Sequence, residues 1–137
     1  MPSVLLATDA DWIADEVDAA LAGAQDSVKR VQTGTAVLPA VTEDPPDLIV
    51  LDSQIGNMGG MATCMALHHE MIAGRLDHIP VLMLLDRDAD VFLAKRSEAE
   101  GWIIKPLDAF RLRKAAKALL AGDTYHEHAP SADLAVP

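Results

Sequence analysis

The sequence predicts an α/β domain built on a doubly wound, five-stranded parallel sheet with helices on both faces. Three observations predict it. Runs that are apolar throughout recur at residues 4–7, 48–51, 81–85 and 102–104, and runs without polar alternation suit strands covered on both sides, the condition of a parallel sheet. Longer amphipathic stretches separate these runs, as winding a sheet requires. The chain has 137 residues, 50% hydrophobic but only 4% aromatic, enough for one core made mainly of Ala, Val, Leu, Ile and Met.

Each element follows in order. After the first strand, Asp11 is the expected N-cap of a helix on which Ile13, Val17 and Leu21 share one face and which Gly23 closes. Residues 27–32, where Val28 and Val31 alternate less cleanly, supply an edge strand, and together with the four apolar runs make five. The second helix, over 35–43, is the vaguest, because Pro39 lies inside it and Pro45-Pro46 end it. After Asp52 the glycines at 56, 59 and 60 demand a loop. A helix over 61–73 follows, with a less regular apolar face of Met61, Met65 or Cys64, Leu67 or His68, and Ile72. The segment 88–98, opened by Asp88, repeats the theme with Val91, Leu93 and Ala94. The last helix begins near Asp108, carries Phe110, Leu112, Ala116 and Leu119, and stops at Gly122. Beyond Asp123 there is no periodicity and little to bury. The expectation is one domain over residues 1–123 and a loose tail over 124–137.

Composition excludes several classes of function. The net charge is −10, with most of the deficit in the first half of the chain, so no nucleic-acid partner is expected. One cysteine, Cys64, can form neither an internal disulfide nor a Cys-based zinc site, which fits a reducing compartment. The start lacks a basic leader, and no apolar run approaches the roughly 18 residues of a membrane span. A cytoplasmic protein without membrane contact is expected.

In an open parallel sheet, ligands sit outside the carboxyl ends of the strands, so the informative residues are the first polar ones after each run. These are Thr8 and Asp9, Asp52, Asp86 and Lys105. Carboxylates and one ammonium converging on one rim suit a divalent cation beside a phosphate-like anion. The same residues also suit helix caps and solvated turns, and spacing alone does not separate the two readings.

Taken together, Leu48-Ile49-Val50-Leu51-Asp52, the Gly-rich loop after it, Ile79-Pro80-Val81-Leu82-Met83-Leu84 and Gly101-Trp102-Ile103-Ile104-Lys105-Pro106 resemble the receiver domain of bacterial two-component response regulators. The likeness spans residues 3 to about 121 and implies a flavodoxin-like fold of receiver type. It further implies that Asp52 is the phosphoacceptor, taking a phosphoryl group from a histidine kinase or a small donor as an acyl phosphate. Asp9, Asp52 and the backbone carbonyl of Gln54 would hold Mg2+. Lys105 would neutralise phosphoryl charge, and Lys105-Pro106 would be a cis peptide. Trp102 occupies the place of an aromatic whose rotation reports phosphorylation, and an ordinary core aromatic is the other reading. No enzymatic activity is implied beyond Mg2+-dependent self-phosphorylation from small donors and self-dephosphorylation. Output would run through contact with a downstream protein.

The chain departs from that family at the pocket, which makes it an atypical member. Thr8 replaces the first of two adjacent acids, lowering the charge available to a metal. Leu85 stands where a Ser or Thr hydroxyl usually binds the phosphoryl group, and Asp86 places a like charge where a small residue usually admits the donor. Two outcomes stay open: Asp86 restores the missing acid in a site of Asp9, Asp52 and Asp86, or the site is degenerate and the chain is a phosphorylation-independent adaptor. Gly56 and Gly59 replace a usual Pro and Asp, which predicts a more mobile loop.

Elsewhere, Arg111, Arg113, Lys114 and Lys117 give the last helix a positive face. With Glu98 and Glu100 upstream, residues 88–122 form a candidate homodimer surface; a solvated charged helix accounts for the same residues. His68-His69 on a helix and the His126-Glu127-His128 tail are not expected to bind a metal, since adjacent helical side chains diverge and a loose tail is not preorganised. A small flavodoxin-like enzyme is the competing class. Its phosphate loop is missing, because residues 7–11 carry two acids and no glycine. No Ser-His-Asp or Cys-His arrangement falls on the strand ends either.

Overall fold

Every strand expected from an unbroken apolar run is present. The computed structural model describes residues 2–22 and 27–127. It contains β1 (Ser3–Ala7), β2 (Ser27–Val31), β3 (Leu48–Asp52), β4 (Val81–Leu85), β5 (Gly101–Ile104) and β6 (Tyr125–His126), all parallel, in the order β2-β1-β3-β4-β5-β6. The sheet therefore has six strands rather than five. The sixth comes from residues that lack periodicity: Tyr125 pairs with Gly101 and His126 with Trp102, so the chain is tied to the sheet at 125–127, where the sequence suggested a loose tail. Residues 128–137, His128 included, lie outside the described residues, as does Gly23.

The helices are α1 (Asp11–Leu21), α2 (Val37–Glu43), α3 (Gly60–Ile72), α4 (Val91–Arg96) and α5 (Ala109–Leu120). Because side chains alternate across the pleat, the strands serve two cores. Leu5, Ile49, Leu51, Met83, Leu85 and Trp102 pack under α2, α3 and α4. Leu6, Val50, Leu82, Leu84 and Ile103 pack under α1 and α5.

Helix starts differ from expectation in instructive ways. Asp11 is the first residue of α1 rather than its cap; its carboxylate turns outward to Arg30 at 3.0 Å. Pro39 lies in the first turn of α2, where its missing N–H costs no hydrogen bond. Short 3₁₀ turns, Gly34–Ala36 and Asp88–Asp90, lead into α2 and α4. Asp108 does cap α5, accepting from the Arg111 N–H at 2.9 Å, and Gly122 follows the end of α5 with φ +88°.

Face assignments hold for α1, whose Ile13, Val17 and Leu21 are buried. On α3 the buried residues are Thr63, Cys64, Leu67 and His68, while Met65 and Ile72 are exposed. On α5 Leu112, Ala115, Ala116 and Leu119 are buried and Phe110 is exposed; on α4 Leu93 reaches the surface beside Phe92. Cys64 is fully buried, its thiol 3.4 Å from the Ser97 carbonyl.

Candidate functional site

The carboxyl ends of β1, β3, β4 and β5 bring Thr8, Asp9, Asp52, Asp86 and Lys105 to one rim. At its centre Asp52, the last residue of a strand buried throughout, is only 1% exposed. Leaving a carboxylate in such a place requires partners. Oδ2 accepts from the Thr8 hydroxyl at 2.8 Å, and Oδ1 accepts from the Lys105 ammonium at 3.0 Å and the Gln54 N–H at 3.1 Å. Thr8 is itself held in place, because its Oγ1 also accepts from the Ala10 N–H at 3.1 Å and its carbonyl accepts from Arg30.

Lys105 bridges two carboxylates, pairing with Asp86 as well as Asp52. Burial alone pushes its ammonium toward deprotonation, but hydrogen bonds to Asp86 and Asp52 outweigh it and hold the pKa above its ordinary value. Lysine is therefore charged throughout the physiological range. The Lys105–Pro106 bond is cis, as the resemblance implied. Above the ammonium, 5.9 Å away, sits the ring of Trp12, a half-exposed residue that sequence inspection did not connect with this rim.

Asp9 Oδ2 accepts from the Gly56 N–H at 3.1 Å, which ties the β1 turn to the loop after β3. That loop, expected to be mobile, is fastened at several points. Gly34 N–H donates to the Gly56 carbonyl at 2.9 Å, Thr35 N–H to the Asn57 carbonyl at 3.1 Å, and the Thr63 hydroxyl to the Met58 carbonyl at 2.7 Å. The left-handed conformation falls not on its glycines but on Asn57 (φ 53°) and Met58 (φ 73°).

Donor chemistry fits a hard cation in kind, since Mg2+ takes one or two carboxylates and keeps several waters, and Asp9 and Asp52 meet that count. Asp86 pairs with Lys105, and among the described residues no three His, Cys, Asp or Glu side chains gather in an arrangement that could hold an ion.

The two positions to which the resemblance assigned a switch are both packed. Leu85 is buried in the core under α3 and α4 and meets the rim only through its carbonyl, which accepts from the Lys105 N–H at 2.8 Å. Trp102, 2% exposed, lies in the same core. Its indole N–H donates to the Glu127 carbonyl at 3.0 Å and its ring stacks on His126 at 4.0 Å. Arg111, read from the sequence only as part of a basic helix face, completes this region: it donates to the carbonyls of Ile104 and Pro106 and to the carboxylates of Asp108 and Glu127. No local pattern marked this role of Glu127, because apart from Tyr125 its partners Trp102, Ile104 and Arg111 lie far away in the chain.

Comparison with known proteins agrees with this geometry. A family model described as the response regulator receiver domain matches residues 4–117. Among curated proteins, the transcriptional regulatory protein AfsQ1 of Streptomyces coelicolor is 30% identical over 122 residues, covering 88% of this chain and 52% of that protein. The response regulator protein PmrA of Pseudomonas aeruginosa is 32% identical over 118 residues, covering 85% and 51%. The chain thus spans about half the length of the curated relatives it matches. Among solved structures, a signal receiver domain of a histidine kinase from Syntrophus aciditrophicus superposes with a TM-score of 0.79 at 26% identity, covering 89% of this chain and 92% of that one. A putative response regulator from Chloroflexus aurantiacus gives 0.79 at 23% identity, covering 88% and 98%, and so supports the fold alone.

Proposed function

The chain belongs to the response regulator receiver domain family of two-component signalling, and on that premise we propose that Asp52 accepts a phosphoryl group from a histidine kinase or a small phosphodonor. The observation that carries this reading is the pair formed by a buried carboxylate and the one ammonium beside it, Asp52 and Lys105 at 3.0 Å. A carboxylate oxygen of Asp52 attacks phosphorus, the bond from phosphorus to the donor's leaving group breaks, and an acyl phosphate results. The Lys105 ammonium, already desolvated and pointed at Oδ1, turns its hydrogen bonds to the phosphoryl oxygens and offsets their charge. Thr8 and the Gln54 N–H keep the carboxylate oriented.

Mg2+ would be held by Asp9, Asp52 and the Gln54 carbonyl, and supplies charge neutralisation for the transferring group when bound. Asp86 acts on the reaction through Lys105 rather than as a replacement ligand. Three carboxylates face one ammonium on this rim, so an incoming phosphodonor meets net negative charge, which a bound cation would offset. Signalling then proceeds by protein contact from the cytoplasmic side of the cell.

A second reading, a phosphorylation-independent adaptor, is favoured by one observation: the Thr8 hydroxyl occupies Asp52 Oδ2 while Leu85 offers no hydroxyl to an acyl phosphate. Intact mass after incubation with a small phosphodonor, with and without Mg2+, decides between them. One phosphate on the wild type in the presence of Mg2+, absent from Asp52→Asn, supports the receiver reading. No phosphate at any donor concentration moves the assignment to the adaptor.

A further inference from the structure

The sheet has a second end, opposite the rim that carries Asp52. There α1 and α5, packed against each other over one face, finish at Leu21 and Leu120, and the first residues of β1 lie beneath them. The three elements leave a groove of about 490 Å³ between them. Val4, Leu21 and Ala116 line it from the core, and Leu120, 38% exposed, stands at its edge. None of these side chains can make a hydrogen bond, so a molecule that fills the groove has to be apolar over most of its length.

Charge at the mouth sets the other half of the ligand. Arg113 and Lys117 line the same groove, and residues four apart on a helix project to the same side. Both are exposed, so their aliphatic stems can lie along apolar surface while the charged heads stay in water. Elsewhere in the molecule arginine finds a carboxylate: Arg30, Arg75, Arg87 and Arg111 do so at distances between 2.6 and 3.3 Å. Among the described residues Arg113 and Lys117 pair with none, although the chain holds 21 acids against 11 bases. Two cations without counter-ions beside an apolar groove complement an anionic head on a hydrocarbon chain, and the fork of the guanidinium suits a carboxylate.

We propose that the groove between α1 and α5 binds a free medium-chain acyl carboxylate, its chain against Val4, Leu21, Ala116 and Leu120 and its head between Arg113 and Lys117. The net charge of −10 opposes adsorption to an anionic bilayer, which selects the free acid over a membrane lipid. The groove shares no residue with the Asp52 rim, so the site stands whether or not Asp52 accepts phosphate.

The test titrates decanoate, below the concentration at which it forms micelles, into the full chain with labelled methyl groups, followed by NMR. Saturable shifts are expected at the methyls of Val4, Leu21, Ala116 and Leu120. Octanoate, two methylenes shorter, is expected to bind about tenfold more weakly. Decanol, and decanoate with the Arg113→Gln, Lys117→Gln double variant, are each expected to lose about tenfold, having lost the charge-assisted bonds. Ala121→Phe, at an exposed position of the groove wall, should fill it and abolish the shifts, with circular dichroism verifying the fold; the double variant serves alone if Ala121→Phe unfolds. Shifts that never saturate, shifts centred on other residues, or equal binding of decanol and decanoate overturn the proposal. So does undiminished binding to the double variant. Binding confined to phosphatidylglycerol vesicles overturns it in favour of a membrane surface, and a concentration-dependent dimer in light scattering that excludes decanoate overturns it in favour of a second copy of the chain.

Discussion

Thr8 carries more of the pocket than its small side chain suggests. It fills the place of an acid, yet its hydroxyl satisfies Asp52 Oδ2 and its Oγ1 anchors the Ala10 N–H, so one neutral residue lets a carboxylate stay buried without a second negative charge. Thr8→Asp should tighten Mg2+ binding by about tenfold, about 1.4 kcal/mol, and lower the melting temperature when Mg2+ is withheld, since two like charges then share a desolvated site. Titration followed by Trp12 fluorescence, with thermal melts in chelator, checks both halves. Asp86 makes the opposite kind of contribution, a second carboxylate that shares the Lys105 ammonium with Asp52. Asp86→Asn should raise the initial rate of phosphate uptake several-fold, read by intact mass; an unchanged rate would show that Lys105 is not limiting. The sequence identified all five rim residues by their position after apolar runs. It left open whether Asp86 restores the acid missing at Thr8 or the site is degenerate, and it did not foresee the pairing of Asp86 with Lys105, because that depends on which neighbour its side chain reaches.

Among the elements, the loop after β3 is tied to its surroundings despite its glycines. Two elements hold it by its carbonyls, the 3₁₀ turn Gly34–Ala36 and α3, and Gly34 is the contact point: a Cβ there would collide with the Asn57 and Met58 carbonyl oxygens. Gly34→Ala should cost about 1–3 kcal/mol in urea unfolding, the scale of an overpacked site. The strand β4 offers a second case. Leu85 belongs to the core under α3 and α4, so Leu85→Thr leaves a hydroxyl among apolar side chains and should destabilise the fold by about 1–3 kcal/mol in the same assay. Helix faces were legible where the apolar spacing is regular, as on α1. On α3 the sequence offered Met65 or Cys64 and the structure buries Cys64, while Ile72 and, on α5, Phe110 were placed inward and lie outside the buried stripes around Cys64–His68 and Leu112–Leu119. Large apolar residues beside those stripes stay outside because the core is already filled by smaller ones.

Across the whole molecule, the end of the sheet opposite Asp52 carries its own charged cluster. The Glu100 carboxylate accepts from the Val81 N–H at 2.8 Å and sits 3.3 Å from His68 Nε2 and 3.0 Å from His78 Nε2, joining α3, β4 and β5. Its neighbours Cys64, through the side-chain contact at 3.5 Å, and Glu100 raise the pKa of His68 from 6.5 to about 10. For Glu100 burial acts upward, but hydrogen bonds from His68, the Val81 N–H and His78 prevail and lower it. A histidine whose folded value exceeds its unfolded one contributes stability fully below pH 6.5, and that contribution is lost as pH rises toward about 10. Denaturant unfolding from pH 6 to 10 should therefore show declining stability, and Glu100→Gln should lower stability at pH 6 and flatten the decline. The sequence by itself determined the winding of the sheet, the two-sided burial of its strands and the convergence of Asp9, Asp52, Asp86 and Lys105 at the rim, because these follow from apolar periodicity and chain order, which are local. Only the tertiary structure decided that Thr8 supports Asp52, that Asp86 pairs with Lys105, that His68 is buried against Glu100, and that Tyr125–His126 completes the sheet. Each of those depends on partners far apart in the chain, whose meeting is set by packing and register and leaves no periodic trace in the sequence.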